Sequence, residues 1–375
     1  MKGALFMIYF DNAATGGFKV HAAVSAAESV IKFLSANPGR SGHRLSTTGA
    51  KIVAECREVL ASGFSCDPAR VIFTKNCTEA LNTAIFGLPL KGKVITTAFE
   101  HNSVLRPLFA LKRTGKIELE ILPTENIVST LKETDLSGVS AIITTAVSNV
   151  TGAILPVGEI GEIAKKNNIF YIVDGAQGGG HIPLSIKEQN ISCLALAGHK
   201  GLGGIMGSGA LILNNDVDLY PLTFGGTGTD TFNEDMPKDY PERLEAGTLN
   251  LPAIASLLEG ARHAFKNLSN FANTLSAYTA RLIKGLKEIP KVTVYSEPNP
   301  AGIVSFKIDG TDSETAADIL NDEYDIAVRG GFHCAPLMHK ALGTEKEGLV
   351  RASLSVHNSS GEIDYFIKAI KRISG

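Results

Sequence analysis

IFYIVDGAQ, residues 169–177, and SCLALAGHK, residues 192–200, decide how this chain folds. Each begins as an uninterrupted apolar run and stops on a charge, Asp174 in the first and Lys200 just beyond the second. An apolar run without alternation marks a strand buried on both faces, the habit of parallel sheets covered by helices. Working outward, ARVIFTK (69–75), KVITTAF (93–99), IELEILP (117–123), SAIITTAV (140–147) and SGALIL (208–213) read as further strands. Between them lie helical stretches, TEALNTAIFGL (78–88), SVLRPLFALKRTG (103–115, closed by a glycine) and VGEIGEIAKKNN (157–168). Strands alternating with helices predict βαβ units and a mainly parallel sheet. After residue 250 a long helical region (252–289) leads to KVTVYS, GIVSFKI and SETAADILNDEYD, a smaller α/β set. The expected layout is a large domain over 16–259 and a small C-terminal domain over 260–375 joined by the N-terminal segment 1–15.

The bulk properties narrow the function classes. With 375 residues, a formal charge of −2 and 44% hydrophobic residues, the chain is an ordinary globular protein long enough for two cores. No Lys/Arg run points to nucleic acid, and no apolar run approaches the ~18 residues of a membrane span. MKGALFMIYF resembles a secretion signal only until Asp11 and Asn12, so it reads as a strand or lead-in, with Met1 or Met7 as the start. The five cysteines are odd in number and lack a CxxC pair, which fits free thiols in a reducing cytoplasm. Cys56 and Cys193 lie in core-like runs. GGFHCAPLMH (330–339) is different: it sets Cys334 among glycines and next to His333. A zinc site from His333, Cys334 and His339 lacks a fourth ligand nearby, so no metal is expected.

In a doubly wound sheet, ligands bind beyond the carboxyl ends of the strands. Those ends carry Asn76, Cys77, Thr78 and Glu79, then Glu100 and His101, Ser148 and Asn149, Asp174, and His199 and Lys200. Each has an ordinary reading: Asp174–Gly175 as a turn, Lys200 as a surface lysine, Thr78 as a helix cap. Jointly they match the needs of pyridoxal 5′-phosphate: a lysine to hold it covalently, a carboxylate for the pyridinium nitrogen, and a helix N-terminus for the phosphate.

At this point the sequence resembles the cysteine desulfurase family of class V aminotransferase-fold enzymes, close to the group II, SufS-like branch. The resemblance runs through YFDNAAT (9–15), NPGRSGHRLS (37–46), CTEALN (77–82), EHNSVL (100–105), SNVTG (148–152), VDGAQ (173–177), GHKGLGG (198–204), AGTLN (246–250), RGGFHCAP (329–336) and RASLSVHN (351–358). It implies a pyridoxal-phosphate fold type I with a mostly parallel, seven-stranded sheet. It also implies roles. Lys200 would hold the cofactor and shuttle the Cα proton, Asp174 would pair with the ring nitrogen, and Gln177 would bond the phenolic oxygen. His101 would stack on the ring, Asn149 would sit near the substrate carboxylate, and Cys77, Thr78 and His199 would surround the phosphate. Thr248 would reach the phosphate of a neighbouring subunit, implying a homodimer, and Arg351 would clamp the substrate carboxylate as a fork. Cys334 would attack the sulfur of L-cysteine, giving alanine and an enzyme persulfide for a protein sulfur acceptor. Gly330 and Gly331 would lend that loop freedom to swing, with His333 favouring the thiolate. One departure stands out: Ala197 occupies a position that usually carries a phosphate-bonding serine or threonine. Selenocysteine lyase shares the same expected site. A class V aminotransferase or epimerase, with Cys334 incidental, and a non-catalytic relative are the remaining readings, the last opposed by intact Lys200, Asp174 and Arg351.

Overall fold

The computed structural model describes residues 7–375. Most of the expected lead-in, MKGALF, falls outside those residues; Ile8–Tyr9 forms β1. Two helices follow, α1 (His21–Phe33) and α2 (Arg44–Phe64). The large sheet then builds through β2 (Val71–Thr74), α3 (Cys77–Gly87), β3 (Gly92–Thr97), α4 (Asn102–Arg113) and β4 (Ile117–Leu122). It continues through α5 (Ile127–Glu133), β5 (Val139–Thr145), α6 (Val157–Lys166), β6 (Phe170–Asp174), β7 (Cys193–Ala197) and β8 (Gly209–Leu213). Its seven strands lie in the order β2-β8-β7-β6-β5-β3-β4. Only β8 runs against its neighbours. The loop from β7 to β8 spans 198–208 with no helix, too short for the crossover that a parallel return needs.

Period-2 geometry explains the apolar runs. Ile142, Tyr171 and Leu194 pack with α2, α6 and a later helix on one face. Their neighbours Ile143, Ile172 and Ala195 pack with α3 and α4 on the other. Both faces are therefore dry.

The later helix is α7 (Leu251–Lys287), 37 residues long and opened by Asn250, whose side chain accepts the Ala253 N–H. At Gly260 a Cβ would stand 2.5 Å from the Gly203 carbonyl carbon, so this helix lies directly on the loop after Lys200. The chain then runs through β9 (Val292–Val294), β10 (Ile303–Ile308), α8 (Ser313–Tyr324), β11 (Ile326–Ala327), α9 (Pro336–Ala341), β12 (Val350–Ser353) and α10 (Ser360–Ile373). An antiparallel sheet, β12-β10-β9, packs with α7, α8 and α10 around Leu282, Phe306, Leu320 and Phe366. β1 pairs in parallel with β11, stitching the N-terminus to this part. The expected boundary at 259/260 falls inside α7, and Ala301, Ile303, Ala335 and Leu349 share a core with the large sheet. Among the described residues no helix is long and apolar enough to cross a membrane.

Candidate active site

The carboxyl ends of β5, β6 and β7 form a platform fixed by strand register: Thr145 pairs with Asp174, and Asp174 with Ala195. Asp174 is buried, and its Oδ1 accepts the Ala176 N–H at 2.9 Å and the Cys77 thiol at 3.4 Å. Lys200 follows three residues after β7. Burial pulls its pKa below the usual lysine value, with Asp174 opposing. Its ammonium makes no hydrogen bond among the described residues. Gln177, also buried, donates through Nε2 to the Ala13 carbonyl at 2.9 Å.

Next to this platform α3 begins. Asn76 caps it, accepting the Glu79 N–H at 2.9 Å. The N–H groups of Cys77 and Thr78, first in the helix, find no acceptor among the described residues, and such a terminus attracts an anion. The Cys77 side chain turns inward to Asp174, and burial raises its pKa well above the ordinary thiol value. Of the expected phosphate group, Cys77 therefore offers its backbone and not its sulfur. Thr78 Oγ1 lies 2.9 Å from Ser103 Oγ, which lies 2.8 Å from His101 Nδ1. Nδ1 also accepts the Ser103 N–H at 3.0 Å, so the ring proton sits on Nε2. Burial lowers the His101 pKa to about 4, and the ring is neutral.

His199 lies against the N-terminal arm: its Nδ1 is 3.1 Å from Thr15 Oγ1, and its carbonyl accepts from Gly16 N–H (3.0 Å) and Lys19 Nζ (2.7 Å). Burial brings its pKa to about 4. Ala197 is buried among apolar side chains. Thr248 is exposed and, with Asn76, Thr78, Ser208 and Asn250, lines a cleft of about 660 Å³.

The loop 329–336 corrects two expectations. It is pinned rather than free. The Arg329 and Arg351 backbones pair at 3.2 and 2.8 Å, Gly331 N–H donates to Ser313 Oγ (3.1 Å), and Leu349 N–H donates to Gly331 O (3.0 Å). Asn149 Nδ2 donates to His333 O at 2.8 Å and Asn102 N–H to Cys334 O at 2.7 Å. A Cβ on Gly330 would meet Ser313 O at 2.5 Å, so this glycine permits close approach to α8. His333 and Cys334 both take left-handed backbone, φ 48° and 57°, a conformation that costs roughly 1–2 kcal/mol per non-glycine residue.

The second correction concerns His333. Its ring is buried, Nε2 meets Leu349 O at 3.1 Å, and burial, helped by Arg351, drives its pKa to about 2. A neutral imidazole supplies no positive charge. A cationic neighbour of the Cys334 sulfur is instead Arg329, with Nη2 at 3.8 Å, and Arg351 is also close enough to interact with it. Arg351 is wholly buried, donating from Nη1 to the Asn149 carbonyl and from Nη2 to Asp11 Oδ1, both at 3.0 Å; among the described residues Nε has no partner. Its fork is thus aimed and only partly used. His339 is buried and bonded to Thr344 at 2.8 Å. Among the described residues no group of three or more His, Cys, Asp or Glu is placed to hold a metal.

Asp11, Ser103 and Arg329 are the participants that the sequence reading left without roles. Each sits inside a stretch already singled out (YFDNAAT, EHNSVL, RGGFHCAP), and that proximity was the available signal.

Comparison with known proteins places the chain as a whole. The Aminotransferase class-V family matches residues 8–366. A probable cysteine desulfurase of Pyrococcus abyssi is 32% identical over 98% of this chain and 94% of its own length. The cysteine desulfurase IscS of Methanosarcina thermophila is 28% identical over 98% and 91%. The apo structure of the cysteine desulfurase from Thermococcus onnurineus NA1 superposes with a TM-score of 0.90 at 30% identity, covering 98% of this chain and 94% of that one. With a family model matched over nearly its whole length and full-length relatives at about this identity, the chain belongs to the class-V aminotransferase family, alongside its cysteine desulfurases.

Proposed function

We propose that this protein is a pyridoxal 5′-phosphate-dependent cysteine desulfurase that converts L-cysteine to L-alanine and keeps the sulfur as a persulfide on Cys334. The observation that carries the reading is the junction of loop and platform: Cys334 is tied to the start of α4 beside His101, and His333 to Asn149. The residues present fit the cofactor. A buried carboxylate suits a ring cation, an unbonded lysine suits a carbonyl, and the open N–H groups of α3 suit a phosphate. Lys200, Asp174, Gln177, His101, Thr78, the Cys77 backbone and His199 would hold it. When bound, it supplies an electron sink for the Cα of the amino acid.

The chain's own groups do the rest. Lys200, with its lowered proton affinity, takes and returns the Cα proton. Arg351, kept in place by Asp11 and the Asn149 carbonyl, turns spare N–H donors to the substrate carboxylate. The Cys334 sulfur, beside Arg329, attacks the substrate sulfur. An S–S bond forms, the C–S bond breaks, and Cβ receives a proton to become the methyl of alanine.

The finer readings belong to the same proposal. The group II branch rests on RGGFHCAP at 329–336. A homodimer is supported by the exposure of Thr248 and of Ile31 and Phe33 on α1, apolar surface of the kind that subunits cover. The boundary near residue 260 marks where the small sheet's helices begin, within one continuous α7.

The decisive experiment is a timed incubation with L-cysteine, measuring alanine and mapping bound sulfur by mass spectrometry. One extra sulfur is expected on the peptide containing Cys334. Cys334→Ala should retain cofactor absorbance and lose alanine formation by about a hundredfold or more. Undiminished turnover by that variant would sink the desulfurase reading.

A further inference from the structure

Glu100 follows β3 directly before His101 and has no part in the chemistry above. Its side chain is fully buried. Oε1 accepts the Thr97 hydroxyl at 2.6 Å and the Thr145 N–H at 3.0 Å. Oε2 is buried without a hydrogen-bond partner, and the carboxyl joins no ion pair among the described residues. Thr145 is in turn the register partner of Asp174. The two carboxyl groups thus belong to the ends of β3 and β6, on either side of β5; the backbones of those two strands lie two strand spacings, about 9.6 Å, apart.

Among the described residues no positive charge answers this second carboxyl. The titratable groups that act on it from β6 are Asp174 and Tyr171; the Tyr171 hydroxyl is bonded to Thr144 at 2.8 Å. His101, its chain neighbour, is neutral. An ionised carboxylate here would leave one oxygen unsolvated and would face the anion that the ring nitrogen requires, which is strongly disfavoured.

We propose that Glu100 works as an uncharged carboxylic acid, a positioning residue that clamps the end of β3 to the end of β5, next to His101 in the chain, without adding a second negative charge to the edge that holds Asp174. Its acceptor bonds use Oε1 alone, so a proton on Oε2 disturbs neither of them. Burial, with the Thr97 and Thr145 bonds opposing it, lifts the Glu100 pKa to about 8. Ionisation is thereby postponed to alkaline pH, where it would load the carboxyl edge with repulsion.

The test has a spectroscopic arm and a kinetic one. Infrared pH-difference spectra of the holoprotein should show a buried carboxylic acid carbonyl that converts to carboxylate with a midpoint near 8, absent from Glu100→Gln. Glu100→Gln keeps a neutral acceptor in the same shape. It should hold turnover within about threefold at neutral pH and lose the alkaline fall of the wild type, while Glu100→Ala drops turnover about tenfold or more at every pH. A Glu100 carboxylate band already present at neutral pH overturns the proposal. So does an alkaline fall that persists unchanged in Glu100→Gln. The kinetic arm rests on the desulfurase reading, whereas the infrared arm on the wild type alone does not, so failure of one is distinguishable from failure of the other.

Discussion

The strand-end platform and the cysteine loop meet at one site but are positioned by different means. On the platform, Asp174 owes its place to the register of β5, β6 and β7, and Lys200 to the short turn that follows. The apolar run before each is legible locally, and regular strand pairing does the rest. The loop owes its shape to bonds from far away: Ser313 on α8, Asn149 after β5, Asn102 on α4, and the β12 backbone. A platform set by register should tolerate changes around it, while a loop set by scattered anchors should fail whenever one is removed.

The largest break would come from the platform itself. Lys200→Ala should lower alanine formation by about a thousandfold or more, as expected when the proton-transfer group is lost. Borohydride labelling of the holoprotein, trapped at Lys200 in the wild type, should disappear. Labelling that moved to another lysine would reassign the site.

Gly330→Ala sharpens the contrast. A methyl placed 2.5 Å from Ser313 O cannot be relieved by a flexible side chain, because the obstacle is backbone. Overpacking of this kind costs about 1–3 kcal/mol, so turnover and the alkylation rate of Cys334 should shift roughly tenfold. Cofactor absorbance should be unchanged. If cofactor binding fell in step with turnover, platform and loop would not be separate devices.

Asn149→Ala should have a smaller effect. It removes the 2.8 Å bond to His333 O but leaves the Asn149 main-chain carbonyl that Arg351 uses. A buried acceptor left unpaired costs about 1–3 kcal/mol. The expected sign is a faster alkylation of Cys334 with the melting temperature a few degrees lower. An unaltered alkylation rate would remove Asn149 from the anchors.

Legibility follows the same division. Asp174, Lys200, Thr78 and His101 stand out in the sequence because each ends a strand or opens a helix whose apolar period is plain. The antiparallel course of β8 was not legible, since SGALIL reads the same in either direction. Nor was the stiffness of GGFHCAP: paired glycines suggest freedom, but Gly330 serves a close approach that depends on α8, 17 positions upstream at Ser313. His333 misled for a similar reason. Adjacency to Cys334 in the chain says nothing about burial, and burial is what neutralises the ring.

Proton linkage gives the smallest effect. The His199 pKa is depressed to about 4, below the usual ~6.5, so its contribution to stability is full above the unfolded value and is lost as pH falls toward the folded one. Relative to His199→Gln, the wild type should lose about 1 kcal/mol between pH 7 and pH 5, after allowing for partial solvent contact. Glu100 works in the opposite sense: its raised pKa makes its contribution fade as pH rises from its unfolded value toward 8. The comparison between variants is therefore the informative one, measured as melting curves at both pH values.

The left-handed backbone at His333 and Cys334, held at both carbonyls, has a bearing on sulfur traffic. A loaded cysteine on such a loop is a berth, not a ferry. If the proposed persulfide forms there, its recipient would have to come to Cys334, whose side chain is only partly covered.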